Sequence, residues 1–159
     1  MEYLYEKEHQ LLREKAQKCI NAHAKQAMAA SFIPLASIPI IYVVCAKMIV
    51  KLDKIFGIPT SKGLGSEILQ DVIVGVIAAP ALAIPVLGAG VSSVYIKSIG
   101  NNYAEAVSEV VRTCSAQELS DSIFVAQRVK EELQKIHANQ RERMKRQKDL
   151  QDSNYLEAK

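Results

Sequence analysis

The sequence has no tryptophan, only three histidines and three cysteines, and few aromatic residues of any kind. Each shortage closes off a class of chemistry. Cys19, Cys45 and Cys114 are far apart and odd in number, and none belongs to a C-x-x-C pair. They outline neither a zinc site nor a disulfide framework, and a reducing compartment is the simpler expectation. Neither Cys45 nor Cys114 has a nearby histidine or acid in sequence to activate it. His9, His23 and His137 have no second histidine four residues on, so they read as surface residues of charged helices. The pattern G-x-x-x-x-G-K-[ST] occurs nowhere, which excludes that phosphate-binding loop. Gly88-Ala-Gly90 lacks a following lysine and sits in an apolar run, where glycine serves close packing or a bend. The charged N-terminus, beginning Met1-Glu2-Tyr3, carries no apolar stretch, so a cleavable signal peptide is not expected. No catalytic, cofactor-binding or metal-binding residue is assigned, and an enzyme is not expected.

A strong charge of either sign is also missing. The net charge of +3 is too mild to suggest nucleic-acid binding. Its distribution is uneven, however, with eight Lys or Arg against three Glu between Arg128 and Lys148. The densest stretch holds Arg141, Arg143, Lys145, Arg146 and Lys148. It is read as a solvated helix end that complements the helix dipole, with contact to anionic lipid head groups as the sharper alternative. No aromatic residues are interleaved to stack bases, so nucleic acid is not an expected partner.

What remains is rich in Ala, Ile, Val and Leu, which points to an all-α protein. We expect a single helical domain over residues 1–148, built around an apolar helical hairpin, and a flexible tail over 149–159. Residues 3–25 are charged and helix-favouring, with Leu4, Leu11, Leu12, Ala16, Cys19 and Ile20 roughly on one face. From Gln26 to Ala46 there is no charge at all. Lys47, Lys51, Asp53 and Lys54 then restore polarity, while Met48, Ile49, Leu52 and Ile55 keep a helical spacing. Gly57, Pro59, Gly63 and Gly65 mark a loop. A second uncharged run, Val72 to Ile96, contains Pro80 and Pro85 and is expected to form two pieces, 67–84 and 86–113, joined near Pro85. The last helix is expected to start at the capping box Ser115-Ala-Gln-Glu118 and to bury Leu119, Ile123, Ala126, Leu133 and Ile136.

The two apolar segments, about 26–50 and 72–96, each exceed the ~20 residues that cross a bilayer as a helix. Two crossings would make a hairpin with both tails on the cytoplasmic side, although Lys47, Lys51, Lys54 and Lys62 in the connection weaken that orientation. The alternative is a buried hairpin in a cytoplasmic soluble bundle. Pro34, Pro39, Pro80 and Pro85 and the many small residues favour it, but so short a chain can hardly enclose two such helices. Membrane insertion or peripheral embedding is the leading expectation.

The pattern Ile33-Pro34-Leu-Ala-Ser37, then Met48-Ile49, Leu52 and Ile55-Phe56-Gly57, resembles a helical domain of unknown function that often follows Era-like P-loop GTPase domains, the YcjF-like family. Ile84-Pro85-Val-Leu-Gly88 and Ile99-Gly100 look similar to its second half. The resemblance covers about residues 15–110. Phe32, Ser37 and Cys45 stand where that family usually has Pro, Asp and Gln. It implies an all-helical, often membrane-associated module that accompanies a GTPase, here without the GTPase, and it implies no chemistry of its own.

Three functions follow as expectations. The first is a non-enzymatic, membrane-associated accessory module working with a partner protein, a GTPase or another, with homo-oligomerisation also in view. The second is a small holin-like or pore-forming protein. The third is a soluble helical binding protein with a buried apolar hairpin, which takes an apolar ligand or oligomerises through exposed apolar surface.

Overall fold

A computed structural model describes residues 2–30, 37–59 and 85–157. Pro34, Gly63, Gly65, Pro80 and the expected piece 67–84 lie outside the described residues. Those residues form five helices and, among them, no strand: α1 (Glu2–Ala30), α2 (Ser37–Phe56), α3 (Pro85–Thr113), the single turn α4 (Ala116–Leu119) and α5 (Ser122–Glu157). The protein is an all-α bundle. Helices α1, α2 and α3 pack against one another, and α5 packs along α3.

The uncharged run Gln26–Ala46 does not form one helix. It is divided between the end of α1 and the start of α2, and α2 continues through Lys47, Lys51, Asp53 and Lys54. Among the described residues no helix is long and apolar enough to cross a membrane. Ala27 on α1 and Ile41, Val44 and Cys45 on α2 are instead buried in the protein core.

Each helix buries one stripe. On α1 it is Ala16, Ile20, Ala24 and Ala27, whose small side chains let the neighbouring backbones come close. Leu11, expected on this face, lies half exposed beside partly buried Leu12. On α2 the stripe is Val44, Cys45, Met48, Ile49, Leu52 and Phe56, at the spacing the sequence predicts. Helix α3 contributes Ile96, Ile99, Tyr103, Ala106, Val107 and Val110. The three helices meet most tightly at Gly100, where a Cβ would lie 2.8 Å from Ile20 Cγ1 and 3.0 Å from Met48 Sδ.

The helix ends follow local chemistry. Gly57 adopts φ +71°, a left-handed conformation that favours glycine. The Ile58 amide then donates to the Asp53 carbonyl at 3.0 Å, and buried Ile58 closes the end of α2 in a Schellman-type cap. Pro85 opens α3, at a position where its missing N–H costs nothing.

The expected start of the last helix needs correction. The capping box does form, the Ser115 amide donating to Glu118 Oε2 at 2.8 Å and the Glu118 amide to Ser115 Oγ at 3.4 Å. It opens only the single turn α4. Asp121 starts a second helix, its Oδ1 accepting from the amides of Ile123 at 2.9 Å and Phe124 at 3.2 Å. Two competent N-caps six residues apart therefore make a corner rather than one helix. The corner rotates the stripe, so α5 buries Val125, Ala126, Val129 and Leu133, while Ile123 is 76% exposed. The backbone of α5 is helical to Glu157.

Candidate functional site

Polar side chains inside the bundle make two contacts between helices and one within α1. Asp53 on α2 and Tyr103 on α3 are both buried, and the Tyr103 hydroxyl donates to Asp53 Oδ1 at 2.6 Å. The bond joins two helices across the core and holds a carboxylate away from water, a pairing that suits structure more than catalysis. His23 is 2% exposed, which corrects its reading as a surface residue. Its Nδ1 lies 2.8 Å from the Cys19 carbonyl, which can only accept, so Nδ1 carries a proton and donates back along α1. That tautomer cannot take the proton from the Cys19 thiol, whose sulfur is 3.6 Å from Nδ1. At the other end of α1, His9 Nε2 and Ser108 Oγ on α3 are 3.2 Å apart, with Ser108 buried.

The titrations of these groups point one way. Burial pushes the Cys45 thiol up to about 12. Burial, with nearby Cys45, also raises Tyr95. Tyr103 is raised well above its usual range by burial, by the Asp53 charge and by their hydrogen bond. Each of these groups is held neutral in the folded protein and ionises more readily when unfolded. Stability from them is fully present below their unfolded values, about 8.5 for Cys and 10 for Tyr, and is lost as pH rises beyond. We expect a flat stability profile through neutrality and a decline from about pH 8.5, of up to ~1.4 kcal/mol per pH unit from Cys45 alone. Urea titrations should show Cys45→Ala making the decline between pH 8.5 and 10 shallower, with Cys19, also raised by burial, sustaining the remainder. An unchanged decline would contradict the burial of this thiol.

Among the described residues no group of three His, Cys, Asp or Glu side chains could hold a metal ion. An open groove of about 300 Å³ runs between α1 and α3, with Arg13, Gln17, Asn101 and Glu105 on its walls and Ala16, Ile20 and Ala104 below. It offers hydrogen bonds and a cation facing an acid, but no Cys, His, Ser or Tyr lines it.

The residues singled out in the sequence are scattered through this frame. Ser37 and Gly57 sit at opposite ends of α2, about 30 Å apart by helix length. Pro85 and Gly88 lie in the first turn of α3. Only Met48 and Gly100 come together, and what they form is a packing contact with Ile20. Sequence reasoning missed Ile20 as the third member, and it missed Asp53, which it grouped with the lysines that restore polarity after the apolar run. Asp53 lies four residues after Ile49 and three before Phe56, so helical spacing placed it on the buried side.

Two surfaces remain open. At one end of the bundle the C-terminus of α1 and the N-termini of α2 and α3 come together, because α3 runs antiparallel to α1 through the Ile20–Gly100 and His9–Ser108 contacts. Met28, Tyr42 and Val43 are exposed there, and Val94 is 69% exposed. The other surface is α5 beyond Gln140. The side-chain pair Asn102–Gln140, with hydrogen bonds of 2.9 and 3.4 Å, joins it to α3. From Arg141 to Gln147 every side chain is exposed, including Arg141, Arg143, Lys145 and Arg146.

Fold and site together define an all-α bundle whose polar interior groups brace its helices. No protein-family model, curated protein or solved structure matches the chain.

Proposed function

We propose that this chain is a non-enzymatic, membrane-associated interaction module that works with a partner protein, a GTPase in the reading its resemblance suggests. The observation that carries the proposal is the exposure of Met28, Tyr42, Val43 and Val94 at one end of the bundle. Large apolar side chains left in solvent at the same end of three helices mark contacts with other molecules more often than single exposed ones do. The buried polar groups offer no counter-reading as an active site, since Asp53, Tyr103, Ser108 and His23 are all closed off from solvent.

The test is co-purification of the full chain from its native cell with identification of the retained proteins. We expect a GTP-binding protein among them, and its loss from a Val43→Asp/Val94→Asp variant whose melting temperature stays near that of the parent. Both side chains are already exposed, so the substitutions leave the core intact. Equal retention by the variant, or no GTP-binding protein at all, would sink the proposal.

A further inference from the structure

We infer that the outer half of α5 is a membrane-surface arm, which lays its cations on a bilayer of acidic phospholipids. The inference rests on the membrane-associated reading above and gives it a location and a mode, peripheral contact in place of crossing. Between Leu133 and Lys148 there are six Lys or Arg and one acid, Glu142, a net of +5. The whole chain carries +3, so the remainder is −2. The positive charge is thus densest on this element, with exposed Lys47, Lys51 and Lys54 forming a shorter basic row on α2.

Geometry makes that charge available. Arg146 pairs with Glu142 one turn away, whereas none of the ion pairs among the described residues uses Arg141, Arg143 or Lys145. All three are exposed, on the stretch of α5 that follows the Asn102–Gln140 pair. Arg141, Met144 and Lys145, at i, i+3 and i+4, share one side of the helix. Met144 is 62% exposed and supplies the apolar contact that a cation-flanked helix inserts at the head-group boundary. No aromatic residue lies between Arg141 and Lys148 to stack bases, which favours phospholipid over nucleic acid as the occupant. Attraction to an acidic leaflet decays within a Debye length, so binding should weaken as salt rises.

Flotation of the full chain with phosphatidylcholine vesicles, with and without phosphatidylserine, tests the arm. Binding is expected only with phosphatidylserine. Arg141→Gln/Lys145→Gln should weaken it about 30-fold, taking each cation near the surface as about fivefold. Met144→Ser should weaken it further, with unchanged helicity by circular dichroism. Lys15→Gln/Lys18→Gln on α1 removes the same charge and should leave binding nearly unchanged. If the wild-type chain ignores phosphatidylserine, both the arm and the membrane-associated reading fall. If it binds but the α5 variant binds as well, or the α1 variant weakens equally, the arm alone falls. Tighter binding to duplex DNA than to the acidic vesicles at the same salt would overturn the lipid assignment.

Discussion

Gly100→Ala is expected to lower stability by about 1–2 kcal/mol, although the same change on an exposed helix would raise it by up to ~1 kcal/mol. The methyl group would be placed 2.8 Å from Ile20 Cγ1, 3.0 Å from Ile20 Cγ2 and 3.0 Å from Met48 Sδ. Met48 is flexible and can yield. Ile20 is β-branched, fully buried and stiff about χ1, so relief must come from separating α1 from α3. Overpacking costs about 1–3 kcal/mol, more than helix propensity returns. Gly100→Val adds two further carbons at the same point and should cost ~3 kcal/mol or more, enough to unfold a marginal domain. Thermal melts would show it as a fall of about 2–4 °C per kcal/mol. The mechanism is checked by the double variant Ile20→Ala/Gly100→Ala. Removing the Ile20 branches makes room for the methyl, so its loss should be smaller than the sum of the single losses by about 0.5–3 kcal/mol. Strict additivity, or a Gly100→Ala protein as stable as the parent, would show that the helices do not meet here.

Tyr103→Phe should cost about 1.5–3 kcal/mol, because it strips a buried carboxylate of a donor while leaving its volume almost unchanged. Asp53 is 4% exposed and accepts the Tyr103 hydroxyl at 2.6 Å. With that donor gone, water cannot readily take its place. Removing the carboxylate as well, in Tyr103→Phe/Asp53→Leu, should recover part of the loss, since an apolar pair leaves no polar group stranded. The same variant should shallow the alkaline decline above pH 10, because one raised tyrosine has been deleted. Urea unfolding of the four proteins in this cycle separates the effects. A Tyr103→Phe protein that unfolds at the parent's midpoint would mean the hydrogen bond does not brace α2 against α3.

Whether the apolar segments lie in lipid or in protein has a different answer for different residues. Ile41, Val44, Cys45, Met48 and Ile49 are surrounded by α1 and α3. Tyr42 and Val43, on the other side of the same helix, face outward. Hydropathy summed along a helix averages over both of its sides, so it registers length and apolar content but not which side meets which neighbour.

Helix type was legible throughout, as were the end of α2 at Gly57 and the start of α3 at Pro85. These depend on interactions within one turn: a left-handed residue that only glycine adopts cheaply, and a ring that lacks an N–H. The capping box at Ser115 was legible for the same reason, but the cap at Asp121 was not read, and choosing between one helix and a corner required knowing which face α3 offered to Val125 and Val129. The candidate surfaces divided in the same way. The basic arm could be read directly from Arg141 to Lys148, because charge that stays solvated needs no partner to be recognised. The exposed end with Met28, Tyr42, Val43 and Val94 could not, since their neighbours Ala27, Ile41, Val44 and Ile96 are just as apolar and are buried.

By itself, then, the sequence determined the all-α class, the caps at Gly57 and Ser115, the absence of a cysteine or nucleotide motif and the location of the positive charge, all of which are set by side chains a few residues apart. Tertiary structure decided that His23 and Asp53 are interior, that Leu11 and Ile123 are not, and that Gly100 marks the closest approach of three helices. The physical reason is distance along the chain: Asp53 finds Tyr103 fifty residues away and Ile20 finds Gly100 eighty residues away. Helical spacing sets Asp53 on the apolar side of α2, but which side chain meets it there is a property of such pairs, and no local spacing encodes that.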